Sequence, residues 1–440
     1  MVERRKPIKV NQAIERVMEY AVAGEVCFVP IEESYGRFLG EDLIADHHVP
    51  PFDRSPYDGY AIRSEDTNGA TRKKPIPFEV IGEIGAGSVF DKSVGQTQAV
   101  RIMTGAQIPD GCDAVIMLEM VREKEMDGRR IIELKRTIKQ GDNISVTGED
   151  TKKGTVLVAK GTYINPGIVA ILATFGYKNV PVSQKPTVGI IATGSELLAV
   201  DEELQPGKIR NSNAYMTYSQ IKRAGAVPIY LGQFKDDFLT CYEHVKNALD
   251  KVDFLITTGG VSVGDYDYLP AIYEKLGANV LFNKIGMRPG SVTTVAEKDG
   301  KLLFGLSGNP SACYVGFELF TRPVIRRYLH SFGPFMKEVI ATLGADFPKP
   351  NPFDRFVRGH LSYENGRLVV TPVGLDKSSV VTSLVDANVL IILPAGTRGY
   401  TAGMEVAVML LEDQEGMSIE MSVNKETNEK GSLTYGLDTF

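Results

Sequence analysis

The chain has 440 residues, 43% of them hydrophobic and 24% charged, and at about 150 residues per domain that length implies roughly three domains. Lys+Arg 49 against Asp+Glu 55 leaves a net charge of −6, which excludes a general nucleic-acid binder with a basic surface. No stretch reaches the roughly 18 apolar residues of a membrane span, no apolar signal core follows MVERRKPIKV, and the 4 cysteines include no CxxC pair. The expectation is a cytoplasmic, multidomain protein without a disulfide framework or a zinc site.

In chain order, VNQAIERVMEYA places Ala13, Val17, Met18 and Ala21 at near-helical spacing and predicts a helix within residues 1–49. From Pro50 to about Gly148 the chain changes to short β-like runs (PFEVIGEI, AVRIM, DAVIMLE, RRIIELKR) separated by turns rich in Gly, Asp and Pro. That pattern predicts an all-β module, 50–148, inserted between residues 1–49 and a returning mixed segment, 149–184. The returning segment carries a helix at PGIVAILATFG, bounded by Pro166 and Gly176.

Strands and helices alternate over 185–335: PTVGIIATG, NSNAYMTYSQIKRAG, AVPIYLG, FLTCYEHVKNALDK, FLITTGG, YDYLPAIYEKLG, NVLFNKI, KLLFGLSG and SACYVGFELFTRPVIRRYLH. The alternation predicts a doubly wound parallel α/β sheet. Segment 336–412 returns to β runs and predicts a small barrel or sandwich. Residues 413–440 are polar and are expected to form a mobile tail.

Ligands of an open parallel sheet bind outside the carboxyl ends of its strands. Four loops fall there: ATGSELL (192–198), GQFKDD (232–237), TTGGVSVGDYD (257–267) and GLSGNPSA (305–312). Each joins Gly or Ser to a helix start, so backbone N–H groups can converge on an anion, although ordinary βα turns share these features. The same loops hold Glu196, Asp236, Asp237, Asp265 and Asp267. Beside a phosphate such carboxylates fit a bridging Mg²⁺; N-capping is the alternative, especially for Asp236 and Asp237. Lys284 and Arg288 of NKIGMRPGS supply cations suited to a phosphate or oxyanion, or form a solvated basic turn. In the β module, PPFDRSPYDGYAI (50–62), MTGAQIPDGCDAVIM (103–117) and SVTGEDTKKG (145–154) are dense irregular loops of the kind that carry function.

Together the strings PFDRSPYDGYA, MTGAQIPDGCDAVIM, GED, IIATGSEL, GQFKDD, TTGGVSVGDYD, KIGMRPG and GLSGNPSA, in this order over about residues 8–412, resemble the molybdopterin molybdotransferase family, which includes MoeA and the C-terminal domain of gephyrin. The resemblance implies a helical N-terminal domain, an inserted β domain, an α/β molybdopterin-binding domain and a C-terminal β-barrel-like domain. It implies insertion of molybdate (or tungstate) into adenylylated molybdopterin with Mg²⁺-dependent release of AMP. A molybdopterin adenylyltransferase and a non-catalytic pterin-binding scaffold are the alternatives. A homodimer, and contact with other molybdenum-cofactor synthesis proteins, are also implied.

Carried over position by position, the resemblance makes Asp58, Thr104, Asp150, Glu196, Asp236, Asp267, Lys284 and Arg288 catalytic, with Glu196, Asp236 and Asp267 on the Mg²⁺ and adenylate side. It gives substrate binding to Gly194, Ser195, Gly259, Gly260, Ser262, Gly264, the turn Ser307, Gly308, Asn309 and Pro310, and to Arg358 and Ser378. Ser291 stands where many members have Lys, Ser307 where Pro is usual, and Tyr57 where Met is frequent.

Overall fold

Strands TVGIIAT, FLITT and KLLFGL are near-continuous apolar runs, the signature of strands covered on both faces, and every residue of Phe254–Thr258 is buried. A computed structural model describes residues 6–235, 237–260, 268–414 and 416–417. The described chain divides into two compact units, one of Met1–Glu41, Ala159–Ala173 and Tyr177–Phe440, the other of Asp42–Val158 with Thr174–Gly176.

In the first unit the six-stranded sheet runs Val227–Phe234, Thr187–Thr193, Phe254–Thr258, Lys301–Leu306, Thr294–Lys298, Asn279–Phe282. The first four are mutually parallel. Thr294–Lys298 is antiparallel to both neighbours, so the sheet is mixed rather than purely parallel. The cause is a hairpin turn at Asp299 (φ 51°) and Gly300 (φ 80°), a dipeptide suited to two positive φ angles.

Alternate residues serve opposite faces: Val188 and Ile190 join one core and Ile191 the other. Helix Ser212–Ala224 and residues of the 310–328 helical run cover the first face, where Val10, Ala13 and Val17 of helix Val10–Met18 enter the same core. Helices Phe238–Leu249 and Leu269–Lys275 cover the second. Val26–Pro30 pairs antiparallel with Asn179–Ser183, which ties the chain before the β module to the chain after it.

Five strands of the same unit, Glu338–Leu343, Asp354–Glu364, Arg367–Pro372, Val389–Leu393 and Glu405–Leu410, close on one another as a β-barrel. Closure leaves no free edge, and Val357, Val370, Ile391 and Val408 fill the interior. Met287–Arg288 pairs with Asp354–Arg355, attaching the barrel to the chain that leaves the α/β sheet.

The second unit has a sheet ordered Ala114–Met117, Gly59–Ile62, Gln98–Ile102, Ile76–Ile84, Arg129–Leu134, Glu123–Met126. Its only helical elements between Asp42 and Val158 are 3-10 turns, as the β-like runs predict. The unit extends beyond 50–148 at both ends because Leu43–Ile44 pairs with Val156–Val158. No helix among the described residues is long and apolar enough to cross a membrane.

The segment expected as a tail is docked at its start. Arg322 Nη2 donates to the Asp413 carbonyl (2.8 Å), Arg326 Nη1 donates to the Gln414 carbonyl (3.1 Å), and Met417 bridges to Phe335. The remainder, 415 and 418–440, lies outside the described residues.

Beneath this contact Pro310–Gly316 and Arg322–Tyr328 flank a π-helical turn, Phe317–Thr321, that turns Glu318 into the core. The Glu318 carboxylate, 1% exposed, meets Arg223, accepts from Gln220 Nε2 at 2.7 Å, and lies 3.9 Å from Arg322 Nε. Glu318→Ala leaves buried Arg322 without its neighbouring carboxylate and Arg223 with only the exposed Glu412, and should lower unfolding free energy by about 3–5 kcal/mol, read as a lower urea midpoint for the first unit.

In the second unit, the Arg130 hydrogen bond followed by that of Tyr60 pulls Glu123 down to about 2, while burial and then Glu123 push Tyr60 up to about 12. The Glu123 contribution is present above its unfolded value near 4.5 and is lost as pH falls toward 2. The Tyr60 contribution is present below 10 and is lost as pH rises toward 12. Glu123→Gln should therefore flatten the stability–pH curve between pH 4.5 and 2; an acid limb identical to wild type would contradict it.

Candidate functional site

Because Thr187–Thr193, Phe254–Thr258 and Lys301–Leu306 are adjacent and parallel, the loops that leave them emerge side by side at one sheet edge. Gly259 (φ 95°) and Gly260 (φ 66°) turn sharply there. A Cβ on Gly259 would lie 2.3 Å from the Thr193 carbonyl oxygen, and one on Gly308 would lie 3.7 Å from the Gly259 Cα. The edge is thus a surface of main chain, with Gly259 N–H held by the Leu306 carbonyl at 3.1 Å. Thr193 Oγ1 is buried at this turn with no hydrogen-bond partner among the described residues.

Gly194 and Ser195 follow Thr193, and the exposed Glu196 carboxylate folds back over Gly194, both oxygens 2.8 Å from where a Gly194 Cβ would stand. The loop is fixed by Gly194 N–H to the Phe234 carbonyl (3.1 Å) and Ile209 N–H to the Glu196 carbonyl (2.9 Å), and Lys208 Nζ donates to the Ser195 carbonyl. Asp237 caps helix Phe238–Leu249 by accepting from Thr240 N–H at 2.8 Å. The Thr240 side-chain and backbone hydrogen bonds hold its carboxyl below the usual range. Capping is therefore the role observed for Asp237. Asp236, Ser262, Gly264, Asp265 and Asp267 lie outside the described residues.

The Ser307–Pro310 turn is clamped from two sides. Asn213 Nδ2 donates to the Gly308 carbonyl (2.9 Å), and Ser307 Oγ accepts from Asn309 N–H (3.2 Å). Pro310 starts the next helix, where its missing N–H costs nothing. Ser311 N–H donates to the Ser378 carbonyl (3.0 Å) and Ser311 Oγ to the Val380 carbonyl (2.6 Å), so the turn and the loop between two barrel strands form one surface.

Arg358 supports that loop from inside. It is 1% exposed, and it donates through Nη2 to the Leu375 carbonyl (2.9 Å) and through Nε to Ser383 Oγ (3.2 Å). Burial pushes its pKa down against the opposing pull of Asp376. Exposed Arg288 stands 5.9 Å from the Phe353 ring, and half-buried Lys284 is held by its carbonyl, which accepts from Ile8 N–H at 3.2 Å.

In the β-rich unit, PPFDRSPYD is a strap between two loops. Asp58 Oδ1 accepts from both Thr104 N–H (2.7 Å) and Thr104 Oγ1 (2.8 Å). These backbone and side-chain bonds hold the exposed Asp58 carboxyl below its usual range. Asp53 Oδ1 grips Thr147 in the same manner, at 2.7 and 2.8 Å. Asp150 N–H donates to the Val49 carbonyl (3.0 Å) and its side chain is exposed.

The structure thus joins Asp58 to Thr104 directly, and gathers Gly194, Glu196, Gly259, Gly260, Ser307, Gly308 and Ser378 along one edge. Arg358 stands behind that edge as a support for its loop. Sequence reasoning missed Asn213, Ser311, Asp53 and Asp376, which hold these groups. The Asp-x4-Asp spacing of DRSPYD was the one available signal, since the other partners are distant in sequence. Among the described residues no group of three or more His, Cys, Asp or Glu is placed to hold a metal.

Comparison with known proteins matches three stretches of the chain to family models. Residues 8–176 match the MoeA N-terminal region (domain I and II), 189–327 a probable molybdopterin binding domain, and 341–411 the MoeA C-terminal region (domain IV). The molybdopterin molybdenumtransferase of Bacillus subtilis is 59% identical over 423 residues, covering 96% of this chain and 98% of its own. That of Staphylococcus epidermidis is 49% identical over 93% of this chain and 97% of its own. The solved molybdopterin biosynthesis MoeA protein from Pyrococcus horikosii is 31% identical with a TM-score of 0.83, covering 93% of this chain and 100% of its own. With its motifs in order, its barrel closed and full-length relatives at this identity, the chain belongs to the MoeA family of molybdopterin molybdenumtransferases.

Proposed function

We propose that the chain is a molybdopterin molybdenumtransferase that takes adenylylated molybdopterin and molybdate, inserts the metal into the pterin dithiolene and releases AMP. The observation that carries this reading is the main-chain edge where Gly259, with no room for a Cβ beside the Thr193 carbonyl, meets the exposed Gly308 turn. Such an edge suits the terminal phosphate of a pterin. Lys284 and Arg288 supply positive charge for anionic substrates.

Cleavage of a phosphoanhydride calls for a divalent cation. The exposed Glu196 carboxylate fits one, and Asp236 and Asp267 complete the proposed donor set; the cation would neutralise phosphate charge. Asp58 keeps Thr104 oriented and remains ionised at neutral pH. Asp150 adds a second exposed carboxylate to the β-rich unit. A cytoplasmic homodimer, with contacts to other proteins of molybdenum-cofactor synthesis, goes with this reading, as does the division into a split N-terminal domain, an inserted β domain, an α/β domain and a barrel.

The test incubates pure protein with adenylylated molybdopterin, Mg²⁺ and molybdate, and follows AMP release and metal incorporation. Absence of AMP with both molybdate and tungstate would sink the reading, whereas chelation of the cation should abolish AMP release. Asp58→Asn preserves the acceptor oxygen but removes the charge. It should cut AMP release about 100-fold, the size expected for one positioned electrostatic group, with an unchanged circular dichroism spectrum. Gly259→Ala forces a Cβ against the Thr193 carbonyl at 2.3 Å. Its expected effect is weaker binding of the pterin substrate, measured by calorimetry.

A further inference from the structure

Asp376 lies in the loop between Arg367–Pro372 and Val389–Leu393, surrounded by three cations. Its Oδ2 accepts from Arg355 Nη1 at 2.8 Å and from Lys349 Nζ at 3.1 Å, and its carbonyl accepts from Lys349 Nζ at 3.0 Å. Its Oδ1 stands 3.7 Å from Arg358 Nη1, close enough for Coulomb attraction and too far for a hydrogen bond. Arg358 Nη1 consequently has no hydrogen-bond acceptor among the described residues, although the residue is 1% exposed.

Two consequences follow from this arrangement. One carboxylate among Lys349, Arg355 and Arg358 leaves the cluster in positive excess, and a buried guanidinium with an unmet N–H gains most from an anionic acceptor. The same loop delivers Ser378, whose carbonyl accepts from Ser311 N–H at 3.0 Å beside the Ser307–Pro310 turn. Asp376 therefore acts on the guanidinium by charge and on the loop by position, and leaves Arg358 Nη1 without a hydrogen-bond acceptor among the described residues.

We propose that Asp376 is a positioning residue for the oxyanion substrate, acting through Arg358 and the Leu375–Ser378 loop and making no contact with the oxyanion itself. The inference rests on the reading of Arg358 and Ser378 as site residues in the proposed transferase. It assigns to Asp376 the affinity for the oxyanion, and not the affinity for the pterin or the rate of bond cleavage.

Calorimetric titration with molybdate alone provides the first test. Asp376→Asn should weaken molybdate binding roughly tenfold and raise the molybdate KM equally in the AMP assay, with kcat and the pterin KM within about twofold of wild type. General collapse of the barrel would move both KM values. In a cycle with Arg358→Lys the double variant should bind molybdate no more weakly than Arg358→Lys alone, because both changes act on one guanidinium.

Equal binding of molybdate to wild type and Asp376→Asn overturns the proposal, as do binding to neither and additive losses in the cycle. Molybdate binding that depends on Asp376 in a wild type that releases no AMP supports this inference and sinks the transferase reading alone. Should Asp376→Asn fail to fold, Ser383→Ala removes the acceptor of Arg358 Nε and should weaken molybdate binding roughly threefold. Unchanged affinity in that variant overturns the proposal equally.

Discussion

The parallel pairing of Thr187–Thr193, Phe254–Thr258 and Lys301–Leu306 is the constraint on which the first unit's site depends. Parallel strands send their carboxyl ends to one edge, so three loops far apart in sequence become neighbours without any contact among their side chains. The close approach of Gly259 to Thr193 and to Gly308 completes that edge. Anything larger than hydrogen at Gly259 would push the middle loop off its neighbour. Burial of the strands on both faces makes their register resistant to slippage, since a one-residue shift would exchange the two cores.

Support for the edge comes from buried side chains that reach main-chain carbonyls. Asn213 reaches from the second position of its helix to the Gly308 carbonyl, and Ser311 reaches from the next helix to the barrel loop. Arg358 carries that loop from below. In each case it is the side-chain donor that is buried, so its need for an acceptor ties the loop to the fold. In the β-rich unit Asp53 and Asp58 do similar work at the surface, each gripping a threonine through one oxygen.

A second buried network holds the far end of the 310–328 helical run, where Glu318 enters the core through the π-helical turn between two arginines. The chain leaving the barrel crosses this network and is bonded through its carbonyls to Arg322 and Arg326. Composition marked residues 413–440 as a polar tail, but main-chain carbonyls bond regardless of side-chain type. Docking at Asp413 and Gln414 was therefore invisible to composition.

Local pattern determined much by itself. Strand–helix alternation over 185–335 identified the α/β sheet, short β runs identified the module after Pro50 and β structure after 336 without choosing between barrel and sandwich, and the Gly-rich strand ends identified the loops at the edge. These readings succeed because periodicity and turn chemistry are properties of neighbouring residues. Only the tertiary structure decided the antiparallel Thr294–Lys298 strand, the closure of the barrel and the capping role of Asp237. It alone placed Arg358 beneath its loop and Asp376 among three cations, because Lys349, Arg355, Arg358 and Asp376 are brought together by strands whose pairing no local pattern encodes. Sequence offered groups suited to the chemistry; long-range packing set which of them are exposed and which are buried as supports.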